Sequence, residues 1–149
     1  MSDLTPETLG PWMEQVGAAI ANPQLQAPIQ DWLTHLAGDL SQAFLSSRTP
    51  DGMPWPPLKK RRPAGHNQGH RPLIDFGDLL SSVVSIGNGH IEAVTNDSAE
   101  FGTDLFYAGF QNFGTSRIPA REFMAASDEM QDLAAELVAD DLIHQIQGL

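Results

Sequence analysis

"LIDFGDLLSSVVSIGNGHIEAVT", residues 73–95, carries a helical signal and a strand signal, and the point where one yields to the other decides the fold class. Asp75 stands where a helix N-cap would, and Asp78, three residues on, suits the positive end of a short helix. Farther along, β-branched residues flank Gly87-Asn88-Gly89. This pattern predicts a hairpin of "VVSI" (83–86), a turn at 87–89, and "HIEAVT" (90–95). A helix running into a small antiparallel sheet makes the class α+β.

The flanks supply helices. Residues 8–22 place Trp12, Val16 and Ile20 at four-residue steps, with Thr8 or Gly10 as cap, Pro11 in the first turn and Pro23 as the stop. Residues 29–46 carry Ile29, Leu33, Leu36, Leu40 and Phe44 as one apolar stripe. "LFYAGFQNF" (105–113) reads as a short aromatic helix closed by Gly114, and Phe101 with its neighbours adds another strand. Ser127 caps a last helix from 128 to about 147, with Met130, Leu133, Leu137, Leu142 and Ile146 as its apolar positions. The expected organisation is one domain over 1–149: N-terminal helices in 1–47, an extended basic arm in 48–72, a small sheet with short helices in 73–127, and a C-terminal helix.

The arm breaks every period. Residues 50–75 hold six of the eleven prolines and five of the eight Lys/Arg side chains. Pro54, Pro56 and Pro57 fix φ and remove donors, which favours a polyproline-like path. So long an irregular stretch in a small domain is usually functional or disordered.

Charge is segregated. Residues 1–47 contain five acids and no Lys or Arg; residues 122–149 contain seven acids and again no Lys or Arg. Every cation lies between Arg48 and Arg121, within a chain of net charge −11. Acidic ends and a basic middle can attract copies of the same chain, and head-to-tail contacts of that kind close into rings. A soluble protein without a signal peptide or membrane span is expected. The absence of cysteine excludes disulfides, thiol catalysis and cysteine–zinc sites.

Catalytic patterns are absent. "DFG" at 75–77 lacks the remainder of a kinase, and no G-x-S-x-G occurs. His66 and His70 have a metal-compatible spacing but no third ligand. The acids read as solvated helix faces. "LKKRR" (58–62) is the strongest electrostatic feature. Lys59, Lys60, Arg61 and Arg62 can meet an acidic protein surface or, with Trp55 stacking on a base and Arg71 nearby, the phosphates of DNA. Phe106, Tyr107, Phe110 and Phe113 read as core in the first instance; with Arg117 and Arg121 beside them, part of the cluster can instead form an interface.

Four motifs in order, "DGMPWPPL" (51–58), "LIDFGDLLSSV" (73–83), "YAGFQNFG" (107–114) and "IPAREFM" (118–124), resemble the tailed-phage virion-morphogenesis, or tail-completion, family. The resemblance spans roughly residues 36–145, leaving the first helix outside. The chain departs from the family pattern at Phe76, Gln111-Asn112 and Glu122. The resemblance implies a structural, non-enzymatic protein of the head–tail neck, made in the host cytoplasm, with no cofactor and no membrane contact. Its implied partners are its own copies in a six-fold ring and other neck, connector and tail-terminator proteins. Genomic DNA enters only as contents of the lumen, and the alternative is a DNA-binding module using 59–62. On this reading the arm laces subunits together, with Trp55 as anchor. The interface candidates are Trp55, Lys59, Lys60, Arg61, Arg62, Arg71, Phe110, Phe113, Arg117 and Arg121.

Overall fold

The structure is a computed structural model and describes residues 5–85 and 87–149. In chain order the elements are α1 (Pro6–Ala21), α2 (Gln26–Ser46), α3 (Asp78–Val84), β1 (His90–Val94), β2 (Ala99–Thr103), α4 (Ala108–Phe113) and α5 (Asp128–Gln147). The class is α+β, with one two-stranded antiparallel sheet.

The second helix organises the rest. Leu33, Leu36, Leu40 and Phe44 recur every three or four residues, so they share one face, and all four are buried. Each such side chain contributes about 1.5–3 kcal/mol through the water it leaves. Against this helix pack α5 and α3. The Trp32 indole Nε1 donates to the Met130 carbonyl at 2.7 Å, pinning α2 to the first turn of α5. Ser127 caps that turn as expected, its hydroxyl accepting from the Met130 amide at 3.2 Å.

Two expectations shift at the first helix. It starts at Pro6, earlier than the apolar period suggests, so Pro11 lies inside it rather than in its first turn. Pro11 has no N–H to give to the preceding turn, a defect that a helix interior tolerates poorly. Leu9, Met13 and Ile20 stay exposed, because α1 packs mainly on α5 alone.

The hairpin moves along the chain. Val83 and Val84 belong to α3, not to a strand, and Ile86 falls outside the described residues. The helical spacing of Leu79, Ser82 and Val83 buries one face against the core, and that burial outweighs the β preference of two valines. Asp75 does not cap this helix; Gly77 occupies the cap position at φ +91°. The turn of the hairpin is 95–98, closed by the Thr95 amide donating to the Ser98 carbonyl at 2.8 Å. β1 pairs with β2 in the register His90–Thr103 through Val94–Ala99, which realises the strand expected at Phe101. Ser82 ties the sheet to α3 through the Thr103 hydroxyl at 2.8 Å.

The arm also departs from a straight rod. Ser47 turns left-handed at φ 55°, the Gly52 amide donates to the Thr49 carbonyl, and Arg48 bridges to Pro54. This doubling back aims Pro54, Pro56 and Pro57 along the chain's own core. Trp55 is 5% exposed, meets Phe44 edge-on at 5.5 Å, and donates its indole N–H to the Glu122 carbonyl at 2.8 Å. The placement of Trp55 in a neighbour's pocket is therefore corrected: it fills the core of its own subunit.

Trp55→Ala should cost about 3–5 kcal/mol of folding stability, read in a denaturant melt of the isolated protein. Trp55→Phe should lose less, since it keeps a ring against Phe44 and forfeits one hydrogen bond worth about 0.5–1.5 kcal/mol. An unchanged melting curve for Trp55→Ala would contradict the packing described.

Candidate functional site: the strapped arm and a basic cavity

The quoted motifs converge in space on the docked arm. The Arg121 amide donates to the Gln111 carbonyl at 2.9 Å, and the Asn112 Oδ1 accepts from the Phe123 and Met124 amides at 3.0 Å each. Gly114 sits at φ +73°, where a Cβ would lie 2.6 Å from the Ala120 nitrogen. Only glycine lets α4 turn this tightly into the 118–124 strip. From that strip, Arg121 reaches back to the arm. Its Nε donates to the Pro56 carbonyl at 2.8 Å and an Nη to the Pro57 carbonyl at 3.0 Å. The prolines offer acceptors that no sheet partner uses, and a guanidinium fits two neighbouring ones.

Past Pro57 the arm folds into a polar loop. Asp75 accepts from the Asn67 amide at 2.9 Å, meets His66 Nδ1 at 2.5 Å, and lies 3.8 Å from Arg62 Nε. Arg62 also donates to the Arg71 carbonyl at 2.8 Å, and Asn67 donates to the Ile74 carbonyl at 3.1 Å. The His66 hydrogen bond, followed by the Asn67 amide and the nearby Arg62 guanidinium, holds the Asp75 carboxyl below its ordinary value. Asp75 therefore closes the loop rather than starting a helix. His66 and His70 do not converge: His66 is bound to Asp75, while His70 lines a separate cleft.

Between this loop, the start of α3, α4 and the 117–121 segment lies a cavity of about 490 Å³. Leu58, Leu73, Leu79, Tyr107 and Ile118 give it an apolar floor. Lys59, Arg62, Arg117 and Arg121 bring four cations to it, against the carboxylates of Asp75 and Asp78. Burial, then the charge of Asp78, raises the Tyr107 hydroxyl above its ordinary value. Burial, then Arg62, lowers the Arg121 guanidinium. A second cavity of about 300 Å³ lies between α4 and the sheet, lined by Ile91, Phe101, Phe113 and Met124.

Of the expected site residues, the structure brings Lys59, Arg62, Arg117 and Arg121 to one cavity. Lys60 and Arg61 are exposed and line the shallow cleft with His70. Arg71 points outward, contributing its carbonyl to Arg62. Phe110 and Phe113 are exposed on α4, and Phe106, just before that helix, is 86% exposed and packs edge-on against Tyr107. Trp55 and Arg121 are buried in the subunit and serve it as fasteners. Sequence reasoning missed Asn112 and Asp75 as fasteners. Their signals were present: adjacent amides within "FQNFG" and a carboxylate downstream of His, Asn and Arg.

Gly114→Ala should destabilise by more than the roughly 1–2 kcal/mol of a left-handed residue alone, because the Cβ also strikes backbone. A melt equal to that of the parent protein would refute the close approach. The depressed Asp75 titration carries a sign. Its contribution is complete above the range where the unfolded carboxyl titrates, and is lost as pH falls through the lower folded value. Amide signals of residues 66–69 should therefore move in acid below the usual carboxylate range, and Asp75→Asn should place them near their acid positions already at neutral pH. Insensitivity of these signals to both changes would refute the role given to Asp75.

No curated protein and no solved structure matches the chain significantly. The phage virion morphogenesis family matches residues 6–143, which brings α1 inside the region of similarity where the motifs alone had left it out. With a match over nearly the whole chain and its motifs gathered into one packed unit, the protein belongs to the phage virion morphogenesis family.

Proposed function

We propose that the chain is a structural protein of the phage head–tail junction, a tail-completion or neck component that assembles with its own copies as a ring and joins tail to connector. Family membership carries this reading. Three surface features support it. Phe106, Phe110 and Phe113 are exposed at three- and four-residue steps, which makes an aromatic ridge along α4, and large apolar side chains in the open mark interaction surfaces. Basic side chains gather about the arm and the 117–121 segment, whereas α1 and α5 carry acids and no Lys or Arg. The arm is stapled to its own core, so it presents Lys59, Lys60 and Arg61 from a fixed scaffold.

Neck, connector and tail-terminator proteins are the expected partners, and the virion is the expected location. The DNA-binding alternative keeps three contiguous exposed cations, since Arg62 turns inward to Asp75 and Arg71. In a chain of net charge −11 that cluster suits acidic protein surfaces better than a polyanion.

Removing the gene from the phage should yield filled heads and complete tails that fail to join; normal virions formed without it would overturn the proposal. In the purified protein, Phe106→Ser with Phe113→Ser should weaken assembly, read by native mass measurement alone and with neck proteins. Because both side chains are largely exposed, melting of the subunit should change by no more than about 0.5 kcal/mol. Undiminished assembly of this variant would remove the aromatic ridge from the interface.

A further inference from the structure

Arg121 presents an electrostatic problem within its own subunit. It is 5% exposed, yet its two hydrogen-bonding nitrogens meet only the neutral carbonyls of Pro56 and Pro57. Among the described residues no carboxylate lies within ion-pair distance of it, nor of Lys59 or Arg117. A buried cation without a counter-charge is costly, and its attraction for a carboxylate is screened less than in water. Of the two acids on the cavity, Asp75 is already engaged by His66, Asn67 and Arg62, and Asp78 is exposed on the first turn of α3. Four cations against two carboxylates leave a local surplus of positive charge.

A matching surface exists on the same chain. Helix α5 carries six acids and no Lys or Arg, and Asp132, Glu136 and Asp140 follow one another at four-residue steps, all exposed. Successive carboxylates on that face stand about 6 Å apart along the axis. No residue of α5 lines the cavity. The two surfaces are thus distinct patches of one subunit, and a contact between them is heterologous, the kind that builds rings.

We propose that the cavity at Arg121 is a carboxylate socket, and that its occupant is an acidic side chain from the outer face of α5 in a second copy of the chain. The inference rests on the self-assembling reading above and adds the contact that would make the ring. Lys59 and Arg117 draw the acidic helix face in. Arg121 supplies the buried charge that holds one carboxylate, and the apolar side chains beside it leave that charge poorly solvated.

A charge-exchange experiment on the full chain tests this. One variant combines Lys59→Glu with Arg117→Glu; the other combines Asp132→Lys, Glu136→Lys and Asp140→Lys. All five side chains are exposed, and the melting of each subunit checks its fold. Sedimentation over a concentration series should show self-association of each variant weakened by about tenfold or more. An equimolar mixture should regain association to within about threefold of the parent, since each reversed surface then finds its complement. The milder Arg117→Gln, which removes charge and keeps length, should weaken association in the same direction. Undiminished association of the variants, or no recovery on mixing, overturns the socket while leaving self-assembly standing. A parent protein that stays monomeric at every concentration and within particles overturns the self-assembling reading itself, and the socket with it.

Discussion

The indole N–H of Trp55, donated to the carbonyl of Glu122, joins two stretches that have no secondary structure to hold them together. On one side is a proline-rich segment that cannot form a ladder. On the other is the strip leading into the last helix. Phe44 holds both, touching Trp55 at 5.5 Å and Phe123 at 5.3 Å between ring centres. Release the indole and three things lose their footing together: the arm, the Arg121 contacts to Pro56 and Pro57, and the wall of the basic cavity that Leu58 and Lys59 supply. The shape of the basic cavity is therefore a consequence of one buried aromatic group and its acceptor.

What could be read from residues alone follows from range. The stripe of α2 and the Ser127 cap of α5 are local patterns, repeating within a turn or acting across three residues, and the structure has both. The hairpin was misplaced because Val83 and Val84 favour a strand locally, while the burial of Leu79, Ser82 and Val83 on one helical face is a property of the whole core. A less conspicuous turn at 95–98, Thr-Asn-Asp-Ser, took the role assigned to Gly-Asn-Gly. Trp55 was aimed outward because prolines predict an extended path but not its direction. Direction came from the turn at 49–52 and from hydrogen-bond partners more than sixty residues away. The cations of the cavity were individually legible as candidates. Their convergence was not, since it depends on the loop closed by Asp75.

Acid side chains in this protein have opposite relations to the fold. Asp75 is stabilised as an anion by His66 and the Asn67 amide. Asp39, at the seam of α2 and α5, is pushed the other way, by burial first and then by Glu129 and Asp51. Its Oδ2 is the one buried side-chain polar atom without a hydrogen-bond partner among the described residues. Mild acid thus relieves the helical seam before it loosens the loop. The seam carries the crowding of a strongly acidic chain, while the loop uses one acid to gather cations.

Sequence separation gives these contacts a consequence for synthesis. Trp32 waits for Met130, 98 residues later, and Trp55 waits for Glu122, 67 residues later. As the chain leaves the ribosome, α2 emerges with its apolar stripe bare, and the part that meets α5 stays so until that helix follows. Contacts closed over such distances form late and slowly. A nascent chain halted before residue 122 holds an uncovered core, an uncaptured indole and a flexible basic segment, the makeup of a species that aggregates or is degraded. The core can accordingly close only after residues 122–130 have been made, because both indoles find their acceptors there.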